Sequence, residues 1–139
     1  MTYQTWKKVA LIFAMAALAG SLAFAQSAID ELRARAEGGD AEAQNALGLR
    51  YVLGDGVVQD KDGARYWFEQ SAKQGYAKGQ YNLAVMCGSG LGGTKDHKQA
   101  VQWYRKAANQ RLDAAEYNLT DQGFMFSNGS GGKKEQGRK

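Results

Sequence analysis

The sequence has no proline, one cysteine and one histidine among 139 residues. Without proline a collagen-like chain is excluded, and a disulfide-rich scaffold is excluded by the single Cys87. Burial of apolar surface must hold this fold instead. A lipid-anchored exported chain needs a cysteine at its cleavage point, and none stands near the N-terminus. His97, without a serine or cysteine in a matching motif, supports neither a catalytic triad nor a zinc site, so we expect it to be solvated. A concentrated positive charge is also lacking. The formal net charge is +4, but Lys7 and Lys8 lie in the N-terminal segment and Lys133 to Lys139 hold four basic groups and one acidic group. The body between them is close to neutral and carries no basic stripe, which argues against a nucleic-acid partner. At 44% hydrophobic and 23% charged residues the chain has ordinary globular composition, so a fully disordered chain is excluded.

The N-terminus carries an apolar run. Lys7 and Lys8 precede Val9 to Phe24, and the small residues Ala23 and Ala25 flank Phe24. This order of charge, apolar segment and small residues is that of a secretory signal, and cleavage before Gln26 is expected. The alternative is an uncleaved anchor, since the run is slightly short of the roughly 20 residues that span a bilayer. Export would place Cys87 in an oxidising compartment, where it must be buried or bonded to another molecule.

An internal repeat organises the rest. A shift of 36 positions brings Gln44, Leu47, Gly54, Gly56, Asp60, Ala64, Trp67, Phe68 and Ala72 onto Gln80, Leu83, Gly90, Gly92, Asp96, Ala100, Trp103, Tyr104 and Ala108. A fixed period of this size marks a stacked array. Ala28, Leu32, Ala36 and Gly39 continue the register upstream, and Tyr117, Asn118 and Leu119 continue it downstream. The spacing predicts two helices per unit. The first helix carries Leu47, Gly48 and Tyr51 and stops at Gly54. The second starts at the N-cap Asp60, or Asp96 in the next unit, and closes at Gly75. Ser27 is the expected cap of the first half-unit. Small alanines let the helices approach, and the tryptophans and their neighbours are expected to fill the space between layers. The organisation read from this is a signal peptide at 1–25, a half-repeat helix at 26–40, repeats at 41–76 and 77–112, a partial repeat at 113–123 and a Gly/Lys-rich tail, expected to be disordered, at 124–139.

The run Ala41-x-Ala43-Gln44-x-x-Leu47-Gly48, with Gly54-x-Gly56, Asp60 and Ala64-x-x-Trp67-Phe68-x-x-x-Ala72, resembles the Sel-1-like repeat family, relatives of the tetratricopeptide repeats. The resemblance implies an all-α, right-handed α-solenoid of antiparallel helix pairs, with about two full repeats and flanking half repeats. It also implies an adaptor role without shared chemistry. Where the first unit has Tyr51 the second has Cys87 and the third Gly123, so packing is expected to loosen toward the C-terminus. Gly75 is replaced by Arg111, which should tighten or strain that turn. Phe124, Met125 and Phe126 are expected to cover the last layer or to contact a second molecule, giving possible self-association at the C-terminal end.

Several segments look chemical. Gly88-Ser89-Gly90-Leu91-Gly92-Gly93 matches a dinucleotide fingerprint, but it follows a predicted helix rather than a strand and aligns with the turn at Gly54. Ser130-x-x-Lys133 matches a motif of penicillin-interacting enzymes without its partner motifs. Asp60-Lys61-Asp62-Gly63 suggests a calcium loop, but Ser71 stands where a bidentate glutamate is needed, and capping accounts for Asp60 better. Asn118 and Asn128 head formal glycosylation sequons that matter only in a eukaryotic source, which the leader's style argues against. No cofactor, metal or catalytic residue is expected.

The function read from the sequence is an exported, periplasmic or secreted scaffold that binds a protein or peptide, with no membrane contact after cleavage. Reading across the repeat, the rows Asn45/Tyr81/Tyr117, Ala46/Asn82/Asn118 and Arg50/Met86/Gln122 offer the mixed amide, aromatic and cationic surface enriched at interfaces. The same tyrosines could instead pack between layers. Two alternatives remain: a β-lactam hydrolase or peptidoglycan-related enzyme, as the resemblance to a cysteine-rich secreted branch implies, and a periplasmic regulator of a sensor protein. The cysteine pairs of that branch are absent here.

Overall fold

The computed structural model describes residues 2–110. They form five helices, α1 (Tyr3–Glu37), α2 (Ala41–Leu53), α3 (Lys61–Lys73), α4 (Ala77–Ser89) and α5 (His97–Ala108), and no strand occurs among the described residues. Helices adjacent in sequence pack on one another, so α2 with α3 and α4 with α5 make two antiparallel pairs, joined through α3 and α4. The half-repeat part of α1 lies against α2.

Local chemistry sets the helix ends. The Asp60 carboxylate accepts from the Gly63 amide at 3.0 Å, and Asp96 accepts from the Gln99 amide at 2.9 Å, so both expected N-caps are in place. Asp40 caps α2 in the same way, taking the amides of Glu42 and Ala43, each at 3.0 Å. Gly54 (φ 69°) and Gly90 (φ 77°) end α2 and α4 in the left-handed conformation, and their amides bond back to the carbonyls of Arg50 and Met86. After each loop the chain is tied again: the Asp60 amide donates to the Tyr51 carbonyl and the Asp96 amide to that of Cys87. Two loops with the same bonds, 36 residues apart, are the structural counterpart of the sequence repeat.

Ser27 is not a helix cap in the full chain. It lies exposed inside α1, which runs unbroken from the apolar segment into the half-repeat, because no glycine or proline separates the two and alanine-rich sequence carries the helix through. The buried positions of α1 are Ile29 and Ala36. Residues 3–28 contribute none.

The interior is built around Phe68 and Tyr104 rather than the tryptophans. Phe68 and Tyr104 are buried, whereas Trp67 and Trp103 sit at the margin of the core, half-buried. The larger apolar cluster joins α3, α4 and α5 through Ala64, Phe68, Leu83, Met86, Cys87 and Tyr104. A smaller one joins α1 and α2 through Ala36, Ala43 and Leu47, and Tyr51 packs against both. The expected loosening therefore does not begin at Cys87, which is fully buried: Gln99 and Arg65 close around its thiol. Ala108 is only half-buried, and its neighbour Ala107 takes the interior position. At Gly48, α2 and α3 approach so closely that a Cβ would lie 2.7 Å from the Phe68 ring. Arg111, residues 113–123 and the tail from 124 lie outside the described residues.

Candidate functional site

The repeats are joined by two rows of side-chain amides. The Gln44 amide donates to the Ala36 carbonyl at 3.0 Å, and its own oxygen accepts from Gln74 at 2.8 Å. One repeat later Gln80 donates to the Ala72 carbonyl at 3.4 Å and accepts from Gln110 at 2.9 Å. Each of these glutamines bonds a carbonyl near the end of the preceding second helix, a group that the helix itself leaves unsatisfied. The second row is a single bond between the first helices, from Asn82 Nδ2 to Asn45 Oδ1 at 2.7 Å. Gln74 and Gln110 fall 36 residues apart in the sequence, a periodic pair of polar residues that could have revealed the ladder. Ser71 belongs with them: buried, its hydroxyl donates to the Ala41 carbonyl at 2.6 Å.

These bonds decide where the candidate contact residues stand. Asn45 is 6% exposed and spends its side-chain oxygen on Asn82. Met86, at 2% exposed, belongs to the core. Tyr81 is half-buried with its ring edge-on to Tyr104, centroids 5.7 Å apart, so it takes part in packing between layers. Arg50 is half-buried and ion-paired with Asp55. Asn82 is half-buried, beside Asn45. Tyr117, Asn118 and Gln122 lie outside the described residues. Among the residues of the three rows that are described, Ala46, Arg50, Tyr81 and Asn82 retain surface.

The open strip of the first helices runs one position away from the expected Arg50/Met86 row. On α2 the outward residues are Glu42, Leu49 and Leu53, and on α4 they are Lys78, Val85 and Ser89, with Ala46 and Asn82 between. Leu49 is 40% exposed, Leu53 71% and Val85 36%. Leu49 and Val85 are repeat equivalents, so the strip is a periodic apolar row with a glutamate and a lysine at one end.

The chemical-looking segments have structural accounts. The Gly88–Gly93 segment is the end of α4 and the turn after it. Asp60 is a cap. Burial pushes the Cys87 thiol above its ordinary range, with nearby Arg65 acting the other way. The thiol donates to Gln99 Oε1 at 3.0 Å and accepts from Arg65 Nη2 at 3.5 Å. Burial likewise pushes the Tyr104 hydroxyl up to about 12. Among the described residues no group of three or more His, Cys, Asp or Glu side chains gathers as a metal site would require.

The Sel1 repeat family model matches residues 41–76 and 77–112. Among solved structures, a Sel1 repeat protein from Oxalobacter formigenes is 40% identical at a TM-score of 0.66, over 68% of this chain and 71% of that one. A protective antigen of uropathogenic Escherichia coli with an SLR fold, c5321, is also 40% identical at a TM-score of 0.66. The match covers 73% of this chain but only 21% of that protein. Helicobacter pylori cysteine rich protein B, 24% identical over 68% of this chain and 71% of its own, has the same fold at a TM-score of 0.65. No curated protein matches the chain.

Proposed function

The chain belongs to the Sel1 repeat family, and from that premise we propose that it is a non-catalytic scaffold, exported to the cell envelope, that holds a protein or peptide on the α2/α4 strip. The observation that carries the reading is the periodic exposed row of Leu49, Leu53 and Val85 beside Ala46 and Asn82, with Glu42 and Lys78 at its edge. Apolar side chains aligned on one open face, rimmed by polar groups, are what a partner's own apolar side chains would cover. The amide bond from Asn82 to Asn45 keeps α2 and α4 in fixed register, so the row is presented as a preformed surface.

Export rests on α1. Its N-terminal part is long and apolar enough to cross a membrane, with a mean hydropathy of 2.0 in its most apolar window. None of residues 3–25 is buried against the repeats, whereas Ile29 and Ala36 beyond them are. Removal before Gln26 would take away the apolar run and leave the packing intact.

Photo-crosslinking residues placed at Leu49 and Val85, with one at the exposed Tyr66 as control, test the binding strip in cells. A discrete adduct at the first two and not at the control is expected. Equal labelling at all three, or none, would remove the strip from consideration. Mass spectrometry of the exported protein is expected to find Gln26 as its first residue, and a retained Lys7–Lys8 segment would overturn that part.

A further inference from the structure

The two second helices are built alike and charged differently. At equivalent positions α3 has Asp62, Glu69 and Gln70 where α5 has Lys98, Arg105 and Lys106. α5 contains no acidic residue. The side of α3 that carries Arg65 is covered by the next repeat: Arg65 Nη2 reaches the Cys87 thiol, and a Cβ on Gly92 would lie 3.2 Å from Arg65 Cβ. On α5 that place belongs to Val101, which lies with Lys98, Gln102 and Arg105 along an open groove of about 360 Å³. An apolar floor with a cationic rim has therefore replaced a charge-balanced, covered side.

The chain that follows has the opposite character. Residues 112–123 hold Asp113, Glu116 and Asp121 with no basic residue, together with Leu112, Tyr117 and Leu119. The segment begins two positions after Gln110, whose amide is held by donation to the Gly75 carbonyl at 2.8 Å and to Gln80 at 2.9 Å. We propose that the basic face of α5 is an acceptor for an acidic, partly apolar segment, and that its occupant is residues 112–123 of the same chain. Charge complementarity selects this segment. The short tether supplies an effective concentration on the order of millimolar, which favours the linked occupant over a free acidic peptide. The same pairing sets the direction in which the array grows, since the charge switch falls on the helix that meets the third unit and not on α3.

Hydrogen exchange on the full chain, followed by mass spectrometry, tests this. Peptides from residues 112–123 are expected to exchange at least tenfold slower than an unstructured chain, at a protection independent of protein concentration. Lys98→Glu with Arg105→Glu is expected to abolish that protection while α2 to α4 remain protected, which shows that the variant is folded. Asp113→Lys with Asp121→Lys leaves the described repeats untouched and is expected to do the same, and combining the two pairs is expected to restore protection. Unprotected exchange of 112–123 in the parent chain would overturn the proposal, as would charge reversals without effect. Protection that rises with protein concentration would also overturn it, assigning the face to a second copy.

Discussion

At the scale of single residues, the interior tolerates polar groups only where each has a partner. Gln44, Asn45, Ser71 and Gln80 are buried, and each is hydrogen-bonded across an element boundary. Tyr104 adds a titratable group. Its hydroxyl is pushed up to about 12 mainly by burial, with Tyr81 and Cys87 adding to the effect. The folded state thus holds its proton more tightly than the unfolded chain, where tyrosine titrates near 10. The resulting stability is complete below pH ~10 and is lost as pH rises from there through about 12. Chemical denaturation at a series of pH values should show a decline above pH ~10 that is steeper in the parent than in Tyr104→Phe. Parallel declines would show that Tyr104 does not set the alkaline limit.

At the scale of elements, the helix ends were legible in the sequence and the outward faces of the first helices were not. A cap or a left-handed glycine acts over three or four residues, so Asp60, Asp96, Gly54 and Gly90 could be placed from local chemistry alone. The second helices were also readable, because α3 and α5 are polar on one side and apolar on the other. α2 and α4 carry apolar residues on most sides, so the choice between Leu49 and Arg50, or Val85 and Met86, is made by the neighbours against which they pack. That is why Met86 read as a contact and lies in the core. Ser27 failed for a related reason: a cap needs a chain that is not already helical before it. Where caps are concerned the two repeats should behave as replicas. Asp60→Ala and Asp96→Ala are each expected to cost about 1 kcal/mol, with Asn at either position recovering most of it. Equilibrium urea unfolding measures both, and a loss at one site alone would mean that the equivalence is confined to sequence.

At the scale of the whole molecule, an array of this kind is stabilised by contacts between neighbours, so its cooperativity depends on the few side chains shared between layers. Tyr51 holds that place here, packing against the Ala36/Ala43/Leu47 cluster on one side and the larger α3–α5 cluster on the other. Its equivalent, Cys87, is buried inside the larger cluster alone, and the space is closed by Arg65 and Gln99. A period of 36 residues therefore preserves the position while the task changes from joining two clusters to filling one. Tyr51→Ala is expected to cost about 2 kcal/mol, less than the ~3–5 typical of a fully buried aromatic because Tyr51 is only half-buried. The loss should be local. Amide exchange in α2 should accelerate at least tenfold while α4 and α5 change little, because their core is complete without Tyr51. If protection instead fell by one common factor from α2 to α5, the described repeats would open as a single unit, and the division of the interior into two clusters would have no energetic meaning.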